Sequence, residues 1–116
     1  MLDKYFVAIV GCKHYLGTRV LKPGKLVCLE KDPDNDYDEE AISAYIFPEG
    51  KIGYVANSTQ TVPKGCRSAG RLYDTFDDVA YGVICFVVHD TAIVEILEAG
   101  AVHWEIVVEI RDRTEV

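Results

Sequence analysis

The hydrophobic positions of the chain fall into short runs that are separated by turn-forming residues. Residues 5–10 form an apolar run that ends at Gly11, and residues 25–30 form a second run after Pro23 and Gly24. Such runs are typical of buried strands, because aromatic and β-branched side chains favour an extended backbone. The pattern therefore predicts two strands within the first 30 residues.

The next segment shows the alternation of a strand with two different faces. In residues 41–47, aliphatic side chains alternate with Ser43 and two aromatic rings. A tight connection at residues 48–50 leads to a returning strand over residues 51–55. Gly53 inside that strand indicates a bulge or a close approach of another backbone. We therefore expect a hairpin here.

The last third of the chain returns to the strand pattern after a less regular stretch. Strands are predicted over residues 79–88, 91–97 and 102–111, with a hairpin turn at Asp90 and a further turn at Gly100. The last of these strands places Trp104 and three aliphatic side chains on one face. Seven short strands are therefore predicted in all.

Little helix is expected. Pro63 and Gly65 interrupt any helix that Ser58 could cap, so the predicted helix falls within residues 66–76. Seven strands with one or two short helices predict a mainly β fold, a small β-barrel. A chain of this length is expected to form one domain over residues 1–116.

The charge of the chain is segregated. A net charge of −7 argues against nucleic-acid binding when it is taken as an average. However, residues 4–25 hold five basic and no acidic side chains, and residues 51–71 hold four and none. Seven of the nineteen carboxylates lie in residues 30–40. We expect the two basic segments to share one positive face beside the acidic segment, although they could also solvate unrelated faces.

The acidic segment is predicted to be a rigid turn between two strands. Pro33 fixes its own φ, and Asn35 and its Asp neighbours are residues that hydrogen-bond their own backbone in turns. One interpretation is a turn that merely faces solvent. The other is a turn that presents Asn35, a partly exposed Tyr37 and Asp38 together as a binding site.

The same segment contains an incomplete calcium motif. Asp32, Asp34 and Asp36 alternate as calcium ligands do in a tight loop. However, Tyr37 stands where that loop needs Gly, and Ser43 stands where it needs a bidentate Glu. A weak and irregular divalent-cation site remains as an alternative.

No other motif for a metal, a cofactor or a catalytic group is present. No nucleophile is paired with a base, and no phosphate-cradling glycine loop occurs. We therefore expect no enzymatic activity and no cofactor. The cysteines form no C-x-x-C pair, which favours structural thiols over a zinc site. These cysteines are Cys12, Cys28, Cys66 and Cys85.

The chain contains no apolar run of 18 residues, and its first residues lack the features of a signal peptide. We therefore expect a cytoplasmic protein with no membrane partner.

Three motifs together resemble the HIRAN domain. They are FVAIVGCKHYLG at residues 6–17, LEKDPDNDYDEEAI at residues 29–42 and IGYV at residues 52–55. The resemblance covers roughly residues 5–97, and its most specific part is the acidic-Pro-x-Asn-x-Tyr-Asp-x-x-Ala-Ile core. HIRAN domains are β-barrels related to OB-folds that occur alone in bacteria or beside helicase-like and nuclease modules. The studied eukaryotic examples bind single-stranded DNA at its 3′ end.

The resemblance implies a binding site. Tyr37 corresponds to a ring that stacks on a terminal base, Asp38 to a carboxylate that receives the 3′-hydroxyl, and Asn35 to a polar contact beside them. His14 and Lys13 are departures, because the family has a second stacking tyrosine and an arginine there. A basic residue usual soon after the Ile-Gly-Tyr strand is here Ala56 or Asn57. The implied nucleic-acid-binding residues are Lys13, His14, Tyr15, Asn35, Tyr37, Asp38, Lys51 and Asn57.

The resemblance therefore implies a module that binds single-stranded DNA ends, with helicase or nuclease proteins as further partners. Stacking on rings tolerates any base, and a fixed carboxylate can accept a hydrogen bond from a free 3′-hydroxyl. Such binding should weaken only gently with salt, because few phosphates can be neutralised. The alternative is a protein-interaction or targeting module on the same barrel without DNA affinity.

Overall fold

The computed structural model describes residues 5–97, and these residues form a closed β-barrel. The strands run in the spatial order β1-β4-β3-β2-β5-β6, and all neighbours are antiparallel. The predicted mainly β barrel is thereby confirmed. The strands are β1 (Phe6–Val10), β2 (Leu26–Lys31), β3 (Ile42–Ile46), β4 (Gly50–Val55), β5 (Val79–Val88) and β6 (Thr91–Leu97).

The predicted elements agree closely with the observed ones. Every predicted strand between residues 5 and 97 is present, with bounds that differ by at most one residue. Helix α1 (Ala69–Tyr73) lies inside the predicted range 66–76, and the Ser68 side chain caps it by accepting a hydrogen bond from the Arg71 amide. The strand predicted over residues 102–111 lies outside the described residues.

The barrel interior is filled by aliphatic side chains that alternate along the strands. In β3, Ile42, Ala44 and Ile46 are fully buried, as their alternation predicts. Burial of one such large side chain contributes about 1.5–3 kcal/mol. The largest fully buried side chains are Ile9, Leu29, Ile42, Ile46, Ile52, Leu72, Ile84, Val7, Val27, Val94 and Cys12.

Gly53 allows β4 to cross closely over β1. Its φ is +152°, and a Cβ atom placed on it would overlap the carbonyl oxygen of Val10. The two strands pair there, with Val10 opposite Tyr54. The sequence predicted such a close approach, and the structure confirms it.

The segment after β4 completes the hydrogen bonding of β1. The Ala8 carbonyl accepts a hydrogen bond from the Ala56 amide at 2.8 Å, and the Phe6 carbonyl accepts one from the Arg67 amide at 2.7 Å. Phe6 also pairs with Cys66 in a parallel bridge. Both ends of the segment 56–67 therefore lie against β1, and the segment leads directly into α1.

The four cysteines are free thiols, of which Cys12 and Cys28 are buried. Burial, assisted by the nearby charge of Glu30, raises the pKa of Cys28 from 9.0 to about 12. At pH values between 9.0 and about 12, the Cys28 thiol is therefore protonated more often in the folded state than in the unfolded state. The resulting stabilisation is complete below pH 9 and is lost as the pH rises toward 12.

This difference predicts an alkaline loss of stability. From pH 8 to pH 10, ionisation of Cys28 in the unfolded state should lower the free energy of unfolding by about 1.4 kcal/mol. Urea titrations at several pH values would measure the loss. The matched variant Cys28→Ala should lose less stability over the same range, and an equal loss in both proteins would contradict the prediction.

In the part of the chain that the structure describes, no helix has both the length and the apolar character needed to cross a membrane.

Candidate functional site

The acidic turn at residues 32–41 connects β2 to β3, as predicted. The Asn35 side-chain oxygen accepts hydrogen bonds from the amides of Tyr37, at 2.9 Å, and Asp38, at 3.1 Å. The Asn35 side-chain amide donates to Asp32 at 3.2 Å. At the base of the turn, the Asp32 amide donates to the Ala41 carbonyl at 2.8 Å. Asn35 therefore fixes the turn from inside.

This fixed backbone carries an aromatic ring and a carboxylate on adjacent residues. The Tyr37 side chain is 98% exposed, which is more than the partial exposure expected from the sequence. The adjacent Asp38 is half-buried. An exposed large ring on a constrained turn is available for stacking, because almost none of its surface is used in packing within residues 5–97.

Two hydrogen bonds hold the Asp38 carboxylate. One oxygen accepts from the Glu40 amide at 2.9 Å, and the other accepts from the Asn57 side-chain amide at 2.9 Å. The Asn57 side-chain oxygen accepts in turn from the Gly70 amide in α1 at 2.8 Å. Asn57 therefore links the acidic turn to the helix and positions Asp38.

A lysine and two tyrosines form a second cluster beside the turn. The Lys51 ammonium donates a hydrogen bond to the Tyr54 hydroxyl at 2.5 Å and lies 5.1 Å from the Tyr15 ring centroid. The rings of Tyr15 and Tyr54 meet edge to face with centroids 6.1 Å apart. The Tyr54 hydroxyl also donates to Asp32 at a long 3.5 Å. A continuous set of contacts thus joins this cluster to the acidic turn.

Lys51 and Tyr54 shift each other's pKa in opposite directions. The hydrogen bond from Lys51 lowers the pKa of Tyr54 below its usual value. Partial burial acts to lower the pKa of Lys51, but the hydrogen bond to Tyr54 and the nearby phenols outweigh it, so the pKa of Lys51 is raised. A raised pKa favours the ammonium form. Lys51 is therefore a positive charge held beside Tyr15.

Lys13 and His14 lie in a short 3₁₀ helix, Cys12–His14, that begins after Gly11. Both side chains are exposed. Neither side chain makes a hydrogen bond or an ion pair with another residue in the range 5–97. Their implied contribution to one composite site with Tyr37 stays a prediction, as does the shared positive face.

The sequence-based list omitted two residues that connect the others. Asp32 joins Asn35 to Tyr54, and Tyr54 joins Asp32 to Lys51. The sequence did contain a signal for Tyr54, because it belongs to the Ile-Gly-Tyr-Val motif. Nothing in the sequence indicated that its hydroxyl would reach the acidic turn.

The alternative of a cation site gains no support from the geometry. Within residues 5–97, no group of three or more His, Cys, Asp or Glu side chains is arranged to hold a metal ion. The Asp32 carboxylate is used in hydrogen bonds with Asn35 and Tyr54.

Comparisons with known proteins identify the family and the fold. A family model for the HIRAN domain matches residues 2–86. The structure is similar to that of the HIRAN domain of human HLTF, with a TM-score of 0.60 and 20% identity over 97% of this chain and 87% of that chain. It is also similar to a Lactobacillus plantarum protein, with a TM-score of 0.57 and 21% identity over 81% of this chain and 93% of that chain. At these identities the structural similarity shows the fold alone. No curated protein matches the sequence.

Proposed function

The chain belongs to the HIRAN domain family, a family of nucleic-acid-binding domains, and on this premise we propose that it binds the 3′ ends of single-stranded DNA and catalyses no reaction. The observation that carries the proposal is the pairing of an exposed ring with a fixed carboxylate. Tyr37 is 98% exposed, and the neighbouring Asp38 is held by two hydrogen bonds. A site that binds a DNA end needs a ring for the terminal base and a carboxylate for the terminal hydroxyl close together.

Asp38 has the acceptor capacity that a 3′-hydroxyl requires. A carboxylate offers about four lone-pair positions. The Glu40 amide and the Asn57 side chain occupy two of them. The remaining positions can accept a hydrogen bond from a hydroxyl group. The same carboxylate repels a terminal phosphate, so the site selects a free 3′ end.

Tyr37 supplies the stacking surface for the terminal base. Stacking on a ring contributes about 1–3 kcal/mol per base and tolerates every base, because each base has an aromatic face. His14, exposed on the 3₁₀ helix, offers a second and smaller flat face. The proposed binding is therefore independent of sequence.

Two lysine side chains supply positive charge that attracts the DNA phosphates. Lys51 is held in its ammonium form between two tyrosines, and Lys13 is exposed on the neighbouring 3₁₀ helix. Both lysines lie in the acid-free segments of the sequence. A local positive surface of this kind can bind DNA although the net charge is −7.

A titration of three DNA forms tests the proposal. A linear single-stranded oligonucleotide with a free 3′-hydroxyl should bind more tightly than the same sequence closed into a circle, because the circle has no terminal hydroxyl for Asp38. The lost hydrogen bond predicts a difference of about tenfold or more at low salt. A blunt duplex should bind more weakly than the linear strand, because its bases are paired and stacked.

Equal binding of the linear and circular strands would reject end recognition. If none of the DNA forms binds at low salt, the nucleic-acid function itself is wrong.

The second candidate function is a protein-interaction module without DNA affinity. It is favoured by an apolar groove of about 610 Å³, in which Phe86 and Val88 are 51% and 48% exposed. Exposed apolar surface of this kind is typical of protein-interaction sites. An absence of DNA binding in the titration would favour this candidate. The groove is lined by Phe6, Pro63, Lys64, Gly65, Cys66, Phe86, Val88, His89, Thr91 and Ile93.

A further inference from the structure

A small cleft lies next to Asn57, on the side of that residue that faces α1. Its volume is about 340 Å³, and it combines hydroxyl, amide and guanidinium groups with two apolar side chains. The only formal charge among its lining side chains is the guanidinium of Arg71. The lining residues are Asn57, Thr59, Val62, Cys66, Ser68 and Arg71.

The cleft is joined to the carboxylate of the proposed end-binding site. The Asn57 side chain donates to Asp38 at 2.9 Å and accepts from the Gly70 amide at 2.8 Å. Arg71 directly follows Gly70 in α1. One amide side chain therefore separates the Asp38 carboxylate from the backbone that carries the Arg71 guanidinium.

The Arg71 guanidinium is available for a ligand. Its side chain is exposed, and it forms no ion pair and no side-chain hydrogen bond with residues 5–97. Lys31 and Arg67, by contrast, are already engaged: Lys31 donates to the Phe76 carbonyl and lies over two rings, and Arg67 lies over the Tyr5 ring. Glu40 packs against Gly70 but does not pair with Arg71. An unpaired guanidinium in a cleft matches the geometry of a phosphate group.

Two hydroxyl groups line the same cleft. The Ser68 oxygen accepts a hydrogen bond from the Arg71 amide at 3.3 Å, so its own proton remains free for donation. Thr59 is exposed and also lines the cleft. Guanidinium and hydroxyl donors together suit a singly charged phosphodiester.

We propose that Arg71 binds a backbone phosphate of the same DNA strand whose 3′ end is received by Asp38, with Ser68 and Thr59 completing the phosphate subsite. This inference rests on the proposed function. It extends the site past Asn57, into a cleft that the sequence motifs did not indicate. It also separates two roles, because Asp38 selects the type of end whereas Arg71 adds affinity for the backbone.

Salt-dependent titration of a linear single strand tests the role of Arg71. Arg71→Gln should weaken binding about fivefold at low salt, since it removes one exposed charge contact. It should also reduce the slope of log K against log salt by about 0.7, the value for one neutralised phosphate on a single strand. The preference for a 3′-hydroxyl over a 3′-phosphate should not change. Arg71→Lys should restore the slope, because the charge is kept.

Lys22→Gln provides a matched control. Lys22 is an exposed cation that precedes β2, whereas the acidic turn follows β2, so the strand separates them. This variant should bind and depend on salt as the wild type does. The thermal midpoints of all variants should match the wild type, because the replaced side chains are exposed.

Neutral methylphosphonate linkages locate the contact. Each of the three linkages nearest the 3′ end is replaced in turn. At one of these linkages, the neutral replacement should weaken binding to the wild type by the same factor as the Arg71→Gln substitution does. It should not weaken binding to the Arg71→Gln variant any further. If the variant binds as tightly as the wild type, or if the two losses multiply at every linkage, the phosphate subsite is wrong while the proposed function stands. If the wild type binds no single strand, the proposed function fails and the subsite fails with it.

Discussion

Replacement of Asp38 by asparagine is expected to remove most of the preference for a free 3′-hydroxyl over a 3′-phosphate. In the proposed site, the wild-type carboxylate would accept a hydrogen bond from the hydroxyl and would repel the phosphate. A charge-assisted hydrogen bond contributes about 1.5–3 kcal/mol, so the wild-type preference should be roughly 10- to 150-fold. An amide does not repel phosphate, and the preference should therefore shrink.

The structure adds a second reason for this loss. The Asn57 amide donates to Asp38, while its oxygen is already bonded to Gly70. Both oxygens of Asp38 accept hydrogen bonds, so an NH₂ group in place of either oxygen would face a donor, the Glu40 amide or the Asn57 side chain. Asn57 could not turn to relieve such a contact without losing its bond to the helix. The side chain at position 38 should therefore be less well positioned as well as uncharged.

Tyr37→Ala serves as the matched control for the Asp38 variant. Loss of the ring removes the stacking surface, so both oligonucleotides should bind more weakly by the same factor and their ratio should stay the same. Fluorescence titration with labelled strands that differ only at the 3′ end would measure both ratios. A wild type that binds the two ends equally would reject the role of Asp38.

Replacement of Gly53 by alanine is expected to cause the largest loss of stability. The new Cβ would overlap the Val10 carbonyl oxygen, and the backbone there is held by pairing between β1 and β4. A positive φ adds strain for any residue with a Cβ. We expect a loss of about 2–5 kcal/mol in the free energy of unfolding. Urea denaturation monitored by circular dichroism would measure it.

Gly24→Ala separates the two causes of this loss. Gly24 also has a positive φ, +92°, but a Cβ placed there would meet no atom within 4 Å. The variant should therefore lose only the strain contribution, about 1–2 kcal/mol. Equal losses at positions 24 and 53 would show that the close crossing of β1 and β4 is unimportant. DNA binding should suffer only in Gly53→Ala, because Gly53 lies between Lys51 and Tyr54.

Much of the fold could be predicted from the sequence because the strands carry strong local signals. These signals reflect what the backbone needs locally. Examples are the alternation in residues 41–47, the turn residues at positions 48–50 and the glycine at position 53. The order of the strands around the barrel, by contrast, could not be predicted from such local signals. The pairing of β2 with β5 depends on contacts between residues about 50 positions apart, which periodicity does not encode.

The candidate site was only partly predictable for the same reason. Tyr37 and Asp38 follow from turn chemistry and from the family motif. The role of Asn57 in holding Asp38 depends on a segment that returns along β1 before it enters α1. Arg71 lay in a stretch that gave only a weak helical signal. Its place beside Asn57 follows from the Gly70 hydrogen bond and not from any motif.

Closure of the barrel determines how this domain can meet other molecules. Each of the six described strands has a neighbour on both sides, and the part of β1 that β4 leaves uncovered bonds to residues 56 and 67. The barrel therefore offers little free sheet edge onto which an extended peptide or a second copy could add as a further strand. Recognition must then depend on side chains, which are carried by the connections and by strands, as Lys51 and Tyr54 are by β4. Those side chains can be exchanged while the backbone framework persists, which agrees with a shared fold at 20% identity.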